Sequence, residues 1–300
     1  MPVWDDLIAL TLIGLLTGVV GGMLGIGGSI VMIPAMTEVL GPDQHLYQSA
    51  AMIVNFFVVV PAVLHHKQAG ALQPATLRRL VPLAALFVVF GVLLSELPVF
   101  HNGGERRLRG LFGLFLLMVV LADLCRLLRR RREGSSMIPQ ASTASSKRME
   151  LKPVSPNDVE ADGQLRNAPC TWWLALAIAL PTGLTAGLLG VGGGLLAVPL
   201  QRRLLNTPIR NAIANSAALI VIPSLIGATV KNYAYLRTHA GDYESFVLAI
   251  VLIPTAMLGS LAGSRLTHRA PLDVVKGAFF VLLLVAALRL VYGALLPGGG

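Results

Sequence analysis

Two glycine-rich stretches are the residues whose types and spacing point most directly to chemistry. Each precedes a short apolar segment, 30–40 in one case and 195–205 in the other. A helix that starts after a glycine break presents N–H groups without a helical partner and the positive end of its dipole, and both attract an anion. Two such ends brought together predict an anion site without a buried Lys or Arg. The candidate residues are Gly25, Gly27, Gly28 and Ser29, whose hydroxyl adds a donor, and Gly190, Gly192, Gly193 and Gly194.

Polar residues and prolines in the neighbouring apolar segments complete the candidate set. In hydrocarbon each polar side chain needs a partner or a wet pathway. Substrate contact and interhelical hydrogen bonding, worth about 1 kcal/mol or less per pair, are equal alternatives for them. For any one glycine close helix packing is favoured, whereas the paired breaks favour a binding site. The further candidates are Ser49, Asn55, Asn215, Ser216, Pro34 and Pro199.

The sequence lacks the residue patterns that nucleotide binding, catalysis and metal binding require. The Gly25–Gly28 run has Ile30 where a dinucleotide loop needs glycine, and no Lys follows for a phosphate-binding loop. The sequence contains no HExxH, GxSxG or His/Cys cluster with ligand spacing, so we expect no enzyme, metal or cofactor. His65, His66, Lys67 and Lys231 end apolar segments, where interfacial anchoring is favoured over an anion vestibule. No solitary acid lies deep in an apolar segment, so no proton relay is predicted.

The elements that position these residues must lie in a membrane. The chain has 300 residues, of which 55% are hydrophobic and only 13% are charged, and its mean hydropathy is +0.72. Soluble domains carry about 25% charged residues. Few aromatics and many glycines favour packed helices over an outer-membrane barrel. The stretches free of Asp, Glu, Lys and Arg are 7–37, 44–66, 80–95, 110–122, 167–201, 211–230, 245–264 and 277–288.

Stretches 7–37 and 167–201 contain the glycine runs and differ from the other six in length. As continuous helices of 31 and 35 residues they would measure about 45–50 Å. That is too long for one crossing of a hydrocarbon core of about 30 Å and too short for two. Each is therefore predicted to be a broken or re-entrant helix pair, while the other six stretches suit one helix each.

The two halves of the chain repeat at an offset of 165 residues. The sequence therefore predicts an all-α polytopic membrane protein of two four-segment repeats, residues 1–128 and 170–300. Residues 129–169, which are basic and rich in Ser and Pro, are predicted to form a disordered cytoplasmic linker. The offset places Gly18, Gly22, Gly25, Gly27, Gly28 and Pro34 on Gly183, Gly187, Gly190, Gly192, Gly193 and Pro199, and after a two-residue slip Ser49 falls on Ser216.

Positive charge predicts the orientation of the repeats. Nine of the 24 Lys and Arg residues lie in 126–166, which places that segment in the cytoplasm. Its Arg129–Arg132 run fits a topology anchor or anionic lipid better than nucleic acid. If each glycine-broken stretch crosses once, 14 basic residues lie inside and nine outside. If each glycine-broken stretch folds back to its own side, 18 basic residues lie inside and five outside. The second arrangement, which we prefer, makes the halves inverted repeats.

The repeated glycine pattern resembles the duplicated signature of the sulfite exporter TauE/SafE family. The resemblance rests on residues 18–34, 183–199, 254–259 and 263–266. It implies a multi-pass permease of the cytoplasmic membrane for small anions such as sulfite, organosulfonates and related sulfur or carboxylate compounds. The expected partners are this anion and membrane lipid, without nucleic acid, and homo-oligomerisation is left open. Two departures from the pattern are Ser29, where the second copy has Gly194, and the long linker.

We expect a secondary transporter whose halves move against each other for alternating access to the site. A passive anion channel is the first alternative, and saturable flux that responds to a pH gradient would exclude it. A non-transporting scaffold that acts through the basic linker is the second. Transport that survives deletion of residues 135–165 would exclude the scaffold.

Overall fold

The computed structural model describes residues 4–41, 43–100, 105–135, 170–238, 243–266 and 272–295. All regular secondary structure in these ranges is helical. A 3₁₀ turn, Pro98–Phe100, follows the fourth helix. The α-helices are α1 (Trp4–Leu24), α2 (Ser29–Leu40), α3 (Gln44–Gln68), α4 (Pro74–Ser95), α5 (Glu105–Ser135), α6 (Trp172–Leu189), α7 (Gly194–Leu204), α8 (Ile209–Thr238), α9 (Glu244–Leu266) and α10 (Leu272–Leu295).

Several helices have the length and surface of membrane spans. Within the described ranges, α1, α3, α4, α6, α8 and α9 are long and apolar enough to cross a bilayer. Large apolar side chains point outward, among them Leu12, Phe90 and Ile250, with exposed fractions of 55%, 55% and 68%. A continuous apolar surface is rare on soluble monomers and suits lipid. The prediction of an all-helical, multi-pass membrane protein is confirmed.

The helices of the two halves interlock. α1 packs along α9, α6 along α4, α3 along α8, and α5 along α10. α3 and α8 form the centre of the bundle, because 72% of the residues in an apolar 18-residue window of α3 and 61% of those in the corresponding window of α8 are buried. Each of the four pairs therefore joins one helix of the first half to one of the second.

Glycines set the closest of these contacts, between α1 and α9 and between α6 and α4. A Cβ on Gly18 would lie 2.0 Å from the Ala256 carbonyl oxygen, and one on Gly187 would lie 2.1 Å from the Val88 carbonyl oxygen. Residue numbers rise together along both members of each pair, so the paired helices run in the same direction. The contacts are Gly14 with Thr255, Gly18 with Ala256, Gly22 with Ser260, Gly183 with Ala84 and Gly187 with Val88.

We expect Gly18→Ala to lower the thermal unfolding midpoint of the purified protein. The added methyl group would collide with the α9 backbone, and overpacking of this kind costs about 1–3 kcal/mol. Leu16→Ala is the control, because Leu16 is 53% exposed and its truncation removes no helix contact of this closeness. Differential scanning fluorimetry in detergent measures both midpoints. Equal midpoints for the two variants would contradict the packing role of Gly18.

Short breaks separate α1 from α2 and α6 from α7. They comprise residues 25–28 and 190–193, and the helices that follow begin at Ser29 and Gly194, each one residue earlier than expected. α5 continues to Ser135, so the predicted end of the first repeat at residue 128 falls inside this helix. The rest of the predicted linker, residues 136–169, lies outside the described residues.

Candidate functional site

The first glycine turn, residues 25–28, and the second glycine turn, residues 190–193, touch each other inside the bundle. Next to the second turn, a Cβ on Gly194 would lie 2.4 Å from the Ile26 Cα atom. A Cβ on Gly27 would lie 3.5 Å from the Val191 carbonyl oxygen. The N-termini of α2 and α7 therefore lie close to a single point, beside Asn55 in the middle of α3.

Backbone conformation requires glycine at the two positions that face Asn55. Gly27 has φ +80° and Gly192 has φ +76°, a region that residues with a Cβ rarely adopt. A Cβ on Gly27 would lie 3.1 Å from Asn55 Oδ1, and one on Gly192 would lie 3.1 Å from Asn55 Nδ2. Both turns thus use glycine for its conformation and for the close approach of Asn55.

The Asn55 side chain links the two turns. Its Oδ1 accepts hydrogen bonds from the backbone N–H groups of Gly28, at 2.9 Å, and Ser29, at 3.2 Å. Its Nδ2 donates to Ser29 Oγ at 2.9 Å and to the Gly190 carbonyl at 3.4 Å. Asn55 is only 1% exposed. The interhelical hydrogen bonding considered for Asn55 is therefore present, and it supplies the start of α2 with a cap from another helix.

The start of α7 has no such cap. The α8 side chain nearest to a Cβ built on Gly194 is Ile220, which is apolar and has no acceptor for these N–H groups. The N–H groups of Leu196 and Ala197 bond to the Gly193 carbonyl. Among the described residues, no partner is found for the N–H groups of Gly194 and Leu195. The two helix starts are thus unequal, and that of α7 keeps the free donors that attract an anion.

Ser216 joins the site, whereas its neighbour Asn215 does not. Ser216 Oγ lies 2.8 Å from the Gly25 carbonyl oxygen and 3.3 Å from that of Gly194, within donating distance of both. Asn215 instead bonds to Gln73: its Oδ1 accepts from the Gln73 backbone N–H at 2.9 Å, and its Nδ2 donates to Oε1 at 3.0 Å. Asn215 therefore fixes the loop between α3 and α4.

Three further predicted residues lie apart from the turns. The Ser49 hydroxyl donates to the His45 carbonyl one turn earlier in α3. Pro34 is buried inside α2 and Pro199 lies half-buried inside α7. The structure brings together the glycines, Ser29, Asn55 and Ser216, and it does not bring Ser49 or the two prolines to Asn55.

A small cavity of about 10 Å³ lies next to Asn55. This volume is close to the minimum for one water molecule, so an oxyanion has no room in this conformation. Ser224 lines the cavity beside Asn55 and Gly192, although no sequence pattern had pointed to it. Among the described residues, no group of three or more His, Cys, Asp and Glu side chains is placed to hold a metal ion. The other lining residues are Met52, Val88, Ala186 and Pro223.

Lys231 lies inside the protein, and its expected role as an interfacial anchor is wrong. Its side chain is completely buried, and α8 continues past it to Thr238, beyond the end of the apolar stretch. Its Nζ donates to Glu96 Oε1 at 2.5 Å and to Ser95 Oγ at 3.0 Å, and it lies 3.0 Å from His45 Nδ1. We call His45, Ser95, Glu96 and Lys231 the charge cluster.

Comparison with known proteins relates this arrangement to a family of transporters. The sulfite exporter TauE/SafE family matches residues 10–290. The "probable membrane transporter protein MamO" of Paramagnetospirillum magneticum is 29% identical, and the alignment covers 95% of this chain and 44% of MamO. MamO of Magnetospirillum gryphiswaldense is also 29% identical, with 95% and 45% covered. The "probable membrane transporter protein YunE" of Bacillus subtilis is 20% identical, with 95% and 97% covered.

The matches differ in how much of each relative they cover. The chain spans less than half the length of the two MamO proteins and nearly the whole of YunE. No solved structure matches the chain significantly. The family match, in contrast, extends over both glycine turns and over all six candidate spans apart from residues 7–9 of the first. The chain therefore belongs to the sulfite exporter TauE/SafE family of membrane proteins.

Proposed function

We propose that this protein is a permease that carries a small anion, such as sulfite or an organosulfonate, across the cytoplasmic membrane. The observation that carries the proposal is the meeting of the α2 and α7 N-termini beside Asn55. Helix starts of this kind replace part of the hydration shell of an anion with backbone N–H groups. Membership of a transporter family supports the same activity.

The donors for the anion come from the second glycine turn and from Asn55. The N–H groups of Gly194 and Leu195 start α7, whose dipole places roughly half a positive charge there. Asn55 Oδ1 occupies the start of α2 as an oxygen of an oxyanion would. When the amide turns aside, its Nδ2 and the N–H groups of Gly28 and Ser29 become available to the substrate.

Helix directions support two inverted repeats with re-entrant openings. Asn232 bonds to both the Ser49 carbonyl and the Ser245 hydroxyl, so α3 and α9 start at the same end of the bundle. α1 runs with α9 and therefore starts at that end too, and α2 returns to it before α3 begins. By the same reasoning α6 runs with α4 and starts at the opposite end. This arrangement is the one that places 18 basic residues on the cytoplasmic side.

We infer alternating access because the cavity, at about 10 Å³, is too small for an oxyanion in this conformation. The units that move are set by the closest contacts, because helices in backbone contact shift together. α1 moves with α9, and α6 with α4, so each moving unit combines helices from both halves of the sequence. α3 and α8, which carry Asn55 and Ser216, lie between these pairs.

The proposal is tested with purified protein in liposomes loaded with labelled sulfite, taurine or acetate. We expect saturable efflux of sulfite or of the sulfonate, with little efflux of acetate. A response of the flux to an imposed pH gradient identifies a coupled carrier, whereas flux that rises linearly with concentration identifies a channel. Flux equal to that of protein-free liposomes for every anion would overturn the proposal.

Gly192→Leu is expected to lower sulfite flux at least about tenfold, because a side chain at this positive φ fills the cavity and presses on Asn55. Gly70→Leu is the matched control. Gly70 has a similar φ of +66°, but a Cβ there meets nothing within 4 Å. Flux per inserted protein is measured for both variants in the same liposomes. Equal losses would mean that backbone strain, and not the site, explains the effect.

A further inference from the structure

Three members of the charge cluster, on three different helices, each lie two helical turns from a residue that lines the central cavity. His45 precedes the cavity residue Met52 by seven positions, Ser95 follows Val88 by seven, and Lys231 follows Ser224 by seven. Seven residues are two turns, or about 10 Å, and bring side chains back to the same helix face. The charge cluster therefore lies in line with the cavity, along the faces of α3, α4 and α8 that enclose it.

Lys231 carries a buried positive charge whose only strong counterion within the charge cluster is Glu96. The Lys231 side chain is 0% exposed and the Glu96 side chain is 17% exposed, so Glu96 is the member nearest to the outside. Asp43, which caps the start of α3, is a second carboxylate whose field reaches Lys231. A buried ammonium without a counterion is strongly unfavourable. A group that replaces the Glu96 carboxylate and keeps Lys231 charged must therefore be an anion.

The remaining groups of the charge cluster suit a small oxyanion. His45 Nε2 lies 3.2 Å from the Phe100 carbonyl oxygen, so this nitrogen donates and Nδ1 accepts from the Lys231 ammonium. Ser95 Oγ accepts from Lys231 and donates to the Val92 carbonyl. An oxyanion at the position of the Glu96 carboxylate would contact the buried Lys231 ammonium.

We propose that Lys231 is an anion-binding site on the route to the central cavity, occupied in this conformation by the Glu96 carboxylate, which a substrate anion displaces. Glu96 is placed for this exchange, because it follows the last residue of α4 and begins the turn to Pro98–Phe100. Displacement needs a movement of this turn and not of a helix. The proposal rests on the proposed anion transport and adds a second binding site to it.

Anion-dependent stability of Glu96→Gln tests the exchange directly. The substitution removes the internal anion and keeps the shape of the side chain. In detergent with sodium gluconate we expect a low unfolding midpoint, which rises by several degrees as sulfite replaces gluconate at constant ionic strength. In the wild-type protein Glu96 competes, so the half-saturating sulfite concentration should be at least about tenfold higher. A midpoint of Glu96→Gln that does not change with sulfite would overturn the proposal.

The double variant Lys231→Met with Glu96→Gln gives a second test, because it leaves no unpaired charge and should fold. At the sulfite concentrations that raise the midpoint of Glu96→Gln, we expect no shift in the double variant, and we expect at least about a tenfold loss of sulfite flux. Wild-type flux in this variant would overturn the proposal.

Gly192→Leu combined with Glu96→Gln distinguishes the two binding sites. A sulfite-dependent shift in this variant, with no flux, identifies Lys231 as an anion site separate from the cavity. If wild-type liposomes carry no anion but Glu96→Gln binds sulfite, the transport proposal fails and the Lys231 site stands. If filling the cavity by Gly192→Leu also abolishes the sulfite-dependent shift of the unfolding midpoint, sulfite binds at the glycine turns and not at Lys231. That result would overturn the inference.

Discussion

The Asn55→Asp variant is expected to fold with a lower unfolding midpoint than the wild-type protein, because it loses the Nδ2 donor to Ser29 and Gly190, and to require at least about tenfold more sulfite for half-maximal flux. Asp keeps an oxygen acceptor for the N–H groups of Gly28 and Ser29, which Asn55 Oδ1 caps at 2.9 and 3.2 Å. A carboxylate at a helix N-terminus is favourable. The same negative charge lies beside the cavity and repels the anionic substrate.

The size of this effect follows from the low polarity of the bundle interior. Two like charges about 4 Å apart repel by about 4 kcal/mol at an effective dielectric constant of about 20. Because about 1.4 kcal/mol corresponds to a factor of ten in affinity, partial screening still leaves a tenfold loss. Initial rates of sulfite efflux over a range of concentrations give the half-saturating value. An unchanged value would place the substrate elsewhere.

Asn55→Leu separates the capping role from the charge effect. Leu has a similar volume and no polar atom, so the N–H groups of Gly28 and Ser29 lose their acceptor and Gly190 loses a donor. An N-cap contributes about 1 kcal/mol, and we expect a lower unfolding midpoint for Asn55→Leu than for Asn55→Asp. The reverse order would show that the amide does not stabilise the start of α2.

The sequence was sufficient to locate the glycine turns, because their requirements are local. Gly27 and Gly192 adopt positive φ values, and only glycine does so without strain next to another side chain. Helix length adds a second local constraint, since a charge-free stretch of 31 or 35 residues fits no single crossing. Both signals recur at the same offset, which made the position of each break predictable to within one residue.

The partners of Asn55 were not predictable, because the cap comes from a distant part of the chain. Capping rules look for a side chain at the residue that precedes the helix, and that residue is Gly28. The acceptor lies 26 and 27 positions further along, on α3. The periodicity of α3 shows that Asn55 is mid-helix but not which neighbour its amide meets.

The charge cluster was missed for a different reason. Dividing the chain at charged residues places every charge outside the apolar stretches, so Lys231 resembled an interfacial residue and Glu96 was assigned no role. They lie 135 positions apart, and His45 lies 186 positions from Lys231. Only the packing of α3, α4 and α8 brings them together. The seven-residue spacing from the cavity becomes informative once the inward face of each helix is known.

Glu96→Gln is expected to destabilise the protein by about 3–5 kcal/mol, the usual cost of breaking a buried ion pair. The cost arises because the Lys231 side chain is 0% exposed and loses its counterion at a place where water cannot replace it. Lys231→Met should cost less, because the Glu96 side chain is 17% exposed and can turn toward water. The double variant should lie close to the wild-type protein, since neither charge remains.

A double-mutant cycle measures this coupling and contains its own control. Unfolding midpoints are compared in gluconate buffer, so that no small anion replaces Glu96. Glu38→Gln is the matched control, because Glu38 pairs with Arg289 where both side chains are largely exposed, and such pairs contribute about 0–1 kcal/mol. If the single variants at Glu96 and Lys231 are additive in the double variant, the two charges do not stabilise each other. Strong coupling, with Glu96→Gln costing more stability than Lys231→Met, would instead show that buried Lys231 needs an anion as its partner. An exchange of Glu96 for a substrate anion requires this property.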